Sequence, residues 1–106
     1  MSNAARIAKN ESLFREVNER IRELAERFET PPDGLVQFVC ECSRLSCSEA
    51  VYLTAAEYAG ARGGPAHFVV RPGHVDAERE RVIRETGRYV VVEKIDETAN
   101  VAENAA

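Results

Sequence analysis

All three cysteines of the chain lie close together, in Phe38-Val39-Cys40-Glu41-Cys42-Ser43-Arg44-Leu45-Ser46-Cys47. One histidine, His74, directly follows the turn signal Arg71-Pro72-Gly73. Three thiolates and an imidazole make the donor set of a closed tetrahedral zinc site. Such a site holds a small domain together and names no substrate. The spacing Cys-x-Cys-x4-Cys places three ligands on one knuckle, with a first gap tighter than the usual two to four residues. An odd cysteine count argues against a simple disulfide framework and points to metal binding or redox work. A chain of 106 residues makes one domain with a thin core, which a bound metal would supplement.

His74 is the fourth ligand of choice, because Pro72-Gly73 puts it in a turn at a strand end. His67 is the rival, but it is out of phase with Phe68 and Val70 and shares a face with Arg71. Glu41 and Glu49 are harder donors, less suited to a site with three thiolates. Inert core cysteines and thiol redox chemistry are the alternatives to zinc. The redox reading lacks a Cys-x-x-Cys at a helix start and a general base nearby in sequence. No Ser/His/Asp set or nucleotide fingerprint stands out, and Gly60, Gly63 and Gly64 lack the Lys-Ser/Thr ending of a phosphate loop.

The net charge of -4 is unevenly spread. Residues 35–94 carry eight acidic and eight basic groups, and Asp96, Glu97 and Glu103 stand in the tail without a base. A near-neutral domain with mixed signs disfavours nucleic-acid binding, which needs a basic face. The mixed run Glu78 to Arg88 reads as a solvated face. No membrane span or signal peptide is visible, and the expected setting is the cytoplasm.

Met1-Ser2-Asn3-Ala4 resembles an expression-vector remnant. Residues 5–34 form the next unit, a long helix and a linker. Ile7, Phe14, Ile21 and Phe28 recur every seven residues, and Val17 and Leu24 fill the second heptad position. Glu11 and Arg15, Glu16 and Arg20, and Glu23 and Arg27 are spaced for i,i+4 pairs. Thr30-Pro31-Pro32-Asp33-Gly34 ends the helix. At ~1.5 Å rise per residue the helix runs close to 40 Å, more than a small sheet needs. Either it packs lengthwise on its own sheet, or its apolar stripe overhangs near Ile7 and Phe14 and pairs with a second copy. The second course predicts a homodimer through Ile7, Phe14, Val17, Ile21, Leu24 and Phe28.

Residues 35–94 are expected to form the metal-binding α+β domain. In a strand over 35–42, Val36, Phe38, Cys40 and Cys42 share one face by period two. Strands follow at 49–53 and 67–71. Thr54-Ala55-Ala56-Glu57 is a capping box that opens a short helix to about Arg62. Residues 80–85 and 88–94 form a hairpin around Thr86-Gly87, with Gly87 expected in the left-handed conformation. Tyr89-Val90-Val91-Val92 is apolar on both faces and belongs inside a sheet. Tyr52 and Tyr58 read as core. The polar tail, 95–106, is expected to fray.

The stretches Arg6–Leu24, Phe38–Cys47, Leu53–Tyr58, Phe68–Val75 and Arg88–Lys94 resemble a family of small, uncharacterised bacterial proteins, found mainly in actinobacteria. The resemblance covers most of the chain. It implies that Cys40, Cys42, Cys47 and His74 form one constellation, and it implies no activity. Ser43 stands where such knuckles often have Gly, which loosens the turn without removing a ligand. The combined expectation is a zinc-stabilised interaction or regulatory module with a protein partner, against a metal- or thiol-dependent enzyme as the alternative.

Overall fold

The chain runs α1 (Asn3–Arg27), β1 (Val36–Val39), β2 (Ala50–Leu53), α2 (Ala55–Ala61), β3 (His67–Val70), β4 (Glu80–Glu85) and β5 (Val90–Lys94). This is a computed structural model, and it describes residues 3–28, 31, 33–44, 47–64 and 66–95. Most of the expected tail, the knuckle residues Leu45 and Ser46, the linker residues Thr30 and Pro32, and the side chain of Ile7 lie outside the described residues. The α+β class with a long N-terminal helix, antiparallel strands and one short helix is the one expected. No helix among the described residues is long and apolar enough to cross a membrane.

The strands divide between two small sheets. β1 and β2 form an antiparallel pair, and the other sheet has the order β3-β5-β4. β5 is central, as its two apolar faces require: Val91 and Tyr89 meet one buried cluster, Val90 and Val92 the other. The first cluster packs Phe38, Val51, Leu53, Tyr58 and Val69 between the sheets and α2. There the Phe38 and Tyr58 rings stack with centroids 4.5 Å apart. The second cluster joins all three cysteines to Phe68, Val70, Val90 and Val92. Tyr52, expected in the core, points outward from β2 and is exposed.

The capping box of α2 forms as expected, with Thr54 Oγ1 accepting from the Glu57 N–H and Glu57 from the Thr54 N–H. Glu57 also grips the Arg88 guanidinium through both oxygens, at 2.8 and 3.0 Å, which ties α2 to the β4–β5 hairpin. The run Glu78 to Arg88 is therefore not simply a solvated face: Arg88 is pinned here, and Glu80 is buried. Gly87 is not the left-handed residue of the hairpin. Gly73 is, at φ 89°. Thr86 makes the hairpin turn instead, its Oγ1 accepting from the Arg88 and Tyr89 N–H groups at 3.2 and 3.1 Å. A hydroxyl that satisfies these donors removes the need for a positive φ.

Helix α1 buries a polar face. Glu11, Arg15 and Asn18, one above another at i, i+4 and i+7, are almost wholly enclosed. The Glu11 carboxyl reaches Lys94 Nζ at the end of β5, which Glu80 also holds. The Arg15 guanidinium carbon lies 4.8 Å from the Phe68 ring centroid. Asn18 mimics a strand: its Oδ1 accepts from the Val39 N–H at 2.8 Å and its Nδ2 donates to the Val39 carbonyl at 2.7 Å. The helix thus lies lengthwise over its own sheets, the plainer of the two courses open to it. From Glu11 to Ile21 it is seated on the domain, and the expected overhang at Ile7 lies outside the described side chains. Phe14 is half-buried, Ile21 packs against the first core cluster, and the exposed apolar side chains are Leu13, Val17, Leu24 and Phe28. Of the expected i,i+4 pairs, Glu11 has turned inward to Lys94. The surface ion pairs of the helix, among the described residues, run Glu19–Arg22–Glu26, and Glu19 also holds Arg62 beyond α2.

Two predictions follow from this polar face. Asn18→Ala leaves both half-buried backbone groups of Val39 without this partner and takes a donor from the buried Glu41 carboxyl, and should lower unfolding free energy by about 3 kcal/mol. Urea denaturation measures it, and a loss below about 1 kcal/mol would mean water replaces the amide.

Burial raises the Glu11 carboxyl from 4.5 to about 8 against the pull of Lys94. The Glu11 carboxyl then keeps its proton below about pH 8. A folded-state pKa raised in this way adds stability that is full below pH 4.5 and lost as pH rises to about 8. Glu11→Gln should flatten that fall relative to the parent protein when both are melted across the same range. Parallel pH profiles would assign the buried charge elsewhere.

Candidate metal centre

The two cysteines of Cys40-Glu41-Cys42 leave β1 where the chain crosses from one sheet to the other. The Cys40 N–H still donates to Glu49 O at 2.8 Å, continuing the β1–β2 ladder. The next residue pairs with the other sheet, Glu41 N–H donating to Val69 O at 2.8 Å. Both sulfurs therefore emerge over the face of β3 and β5 that carries Phe68, Val70, Val90 and Val92. Cys47 returns to them through a turn closed by its N–H to Arg44 O at 3.0 Å.

His74 arrives from the other side of the centre. The Arg71-Pro72-Gly73-His74 turn is closed by the His74 N–H to Arg71 O at 3.0 Å, with Gly73 at φ 89°. Proline second and a left-handed glycine third is the signature of a type II turn. The knuckle is strapped to this loop by Ser43 Oγ donating to Asp76 Oδ2 at 3.0 Å and by Arg44 reaching Gly73 O at 3.4 Å. Ser43 thus supplies a contact that glycine would lack.

The four donor atoms of Cys40, Cys42, Cys47 and His74 all lie within 4.8 Å of one another. His74 Nδ1 is 3.6 Å from Cys40 Sγ and 3.7 Å from Cys47 Sγ. With Zn–S of about 2.3 Å and Zn–N of about 2.0 Å, the S···N edge of a tetrahedral shell is about 3.6 Å. These two S···N separations are the ones such an ion requires. Other hydrogen bonds fit the same use. His74 Nε2 faces Glu49 Oε2 at 3.1 Å, so Nε2 carries the proton and the Nδ1 lone pair faces the sulfurs. Each sulfur accepts one backbone N–H: Cys40 from Arg71 at 3.3 Å, Cys42 from Arg44 and Cys47 from Glu49.

Without a cation the three buried thiols share charge unequally. The hydrogen bond from the Cys40 thiol holds the Cys42 thiol well below the usual range. Giving that hydrogen bond, and then burial, pushes Cys40 far up, and burial raises Cys47. One thiolate is stable in the cluster and three are not. A divalent cation removes that limit by compensating their charge.

The rival ligands are occupied elsewhere. His67 Nε2 pairs with Glu93 at 3.0 Å. The Glu41 carboxylate is fully buried and accepts from Asn18 Nδ2 at 2.8 Å, Tyr58 OH at 2.7 Å and the Val69 N–H at 2.9 Å. Glu49 has the orienting place rather than a ligand's. Its signal in the sequence is slight, a carboxylate two residues beyond the third cysteine. Comparison of the chain with protein-family models, curated proteins and solved structures gave no match, so the chemistry of the site rests on its geometry.

Gly73→Ala forces a side chain into the left-handed region, at about 1–2 kcal/mol. Nothing lies within 4 Å of the added Cβ, so crowding adds no cost. Melts of this variant with a chelator present isolate the backbone cost, and an unchanged melt there would show that the turn relaxes to another type.

Proposed function

We propose that the protein is a zinc-stabilised interaction or regulatory module. The observation that carries this reading is the set of three thiols and one imidazole within 4.8 Å of one another. Its S···N separations suit a tetrahedral ion, and its four soft donors select zinc over magnesium or calcium. All three cysteines are buried and unpaired, which supports a structural role in a reducing, cytoplasmic setting. An enzyme would need an open coordination position and a nearby acid or base. The donor set described is closed, which favours the module.

The reading includes self-association through the N-terminal helix. Its support is the exposure of Val17, Leu24 and Phe28 from the heptad stripe, with Leu13 beside them.

Elemental analysis of the protein purified without added metal should give one zinc per chain. Chelation should lower the melting temperature, because a ligand bound to the native state stabilises it. Cys40→Ser should abolish tight binding, and Glu49→Gln should weaken it by about 10- to 100-fold. Protein free of metal that melts unchanged with chelator would reject the zinc reading. Three protein donors plus a solvent oxygen in metal spectroscopy would favour the enzyme.

A further inference from the structure

Helix α1 has one face buried by its own domain and another with nothing described upon it. The second face carries Leu13, Val17, Leu24 and Phe28, exposed by 54, 41, 41 and 74%. Their spacing of four, seven and four residues lines them along one side of the helix, with Arg20 filling the gap. Glu16, Arg20, Glu23 and Arg27 form the border of this stripe, all exposed. Among the described residues none of the four is in an ion pair. The order along the border is acid, base, acid, base.

That order decides between the two ways in which two copies can meet. In a parallel pair the two-fold axis runs along the helices and sets this border against the other flank of the partner helix, where Phe14, Ile21 and Ala25 offer it no opposite charge. In an antiparallel pair the border meets itself reversed. With the two-fold axis near Ile21 and Arg22, Glu16 of each helix lies towards Arg27 of the other, and Arg20 towards Glu23. The same operation sets Leu13 and Val17 over the partner copy's Phe28 and Leu24 region. A border left without opposite charges in one arrangement and four attractive contacts in the other favour the second. An isologous contact of this kind closes at two copies, with no face left to propagate.

We infer that two copies of the chain pair antiparallel through this face of α1, with Leu13, Val17, Leu24 and Phe28 as the apolar seam and Glu16–Arg27 and Arg20–Glu23 as its charged border. The inference rests on the self-association in the proposed function and gives it a direction and a residue set. Ile21, which packs on its own core, is outside the seam, and Leu13 is inside it.

The test is sedimentation equilibrium of the zinc-loaded full chain at micromolar concentration, with zinc content and helicity measured on the same samples. The parent should be a dimer and Leu24→Asp a folded monomer. Arg20→Glu and Glu23→Arg should each raise the dimer Kd about tenfold by setting like charges together, and the double reversal should restore it. A parent that stays monomeric overturns self-association altogether, and its zinc content shows separately whether the metal reading stands. A dimer that breaks with Leu24→Asp but ignores Arg20→Glu overturns the antiparallel direction alone. A dimer that survives Leu24→Asp overturns the face.

Discussion

Glu41 is a fully buried carboxylate in the middle of the knuckle, and the two sheets and the helix meet through it. Its backbone N–H and side-chain Oε1 bond both backbone groups of Val69, on the free edge of β3. Its other oxygen accepts from Asn18 on α1 and Tyr58 on α2. Asn18 in turn occupies both backbone groups of Val39, on the free edge of β1. Two short sheets with open edges are poor structures alone. Here each inner edge ends on a polar side chain, and the two side chains hydrogen-bond each other. Burial raises the Glu41 carboxyl against these donors. The network therefore holds only while all its members are in place, since a buried acceptor that loses its donors costs more than it contributed.

The helix follows from the same constraint. A stripe of Glu11, Arg15 and Asn18 reads in sequence as a solvated face, because amphipathic patterns assume that apolar side chains go inward. It goes inward because its partners are already in the domain: the Lys94 ammonium, the Phe68 ring and the Val39 backbone. Those partners lie 83 residues away for Glu11 and 21 for Asn18. No local window contains such pairings. Ile21 and Phe14, near the boundary of the two faces, are the only described members of the apolar heptad to turn partly towards the body.

The metal centre was more legible because its signals are local. Period two put Cys40 and Cys42 on one side of the strand end, and both meet the second cluster. Pro72-Gly73 called for a tight turn, and the left-handed Gly73 makes one that aims His74 at the thiols. The capping box at Thr54 is a rule about four consecutive residues and needs nothing from the rest of the chain. Gly87 misled for the opposite reason. Glycine permits a positive φ without requiring it, and the neighbouring Thr86 hydroxyl met the turn's donors first. Glu49 escaped because an acid two residues beyond a cysteine has no periodicity to place it, and Glu41 because its partners Asn18, Tyr58 and Val69 lie 17 to 28 residues away.

The order Cys40-Glu41-Cys42 brings these two systems onto three consecutive residues. Successive side chains point to opposite sides of an extended chain, so the sulfurs go to the metal centre while the carboxylate between them goes to the helix network. Any displacement of the sulfurs moves the Glu41 backbone, and with it the bonds to Val69 and Asn18. The donors that hold the carboxylate likewise limit where the sulfurs stand, which spares a bound ion much of the cost of ordering its ligands. Asn18 is the helix's end of that link. The stripe from Leu13 to Phe28 runs along another side of the same rigid helix. The position of the exposed face relative to the domain is thus set by hydrogen bonds that the cluster of three cysteines and His74 helps to hold.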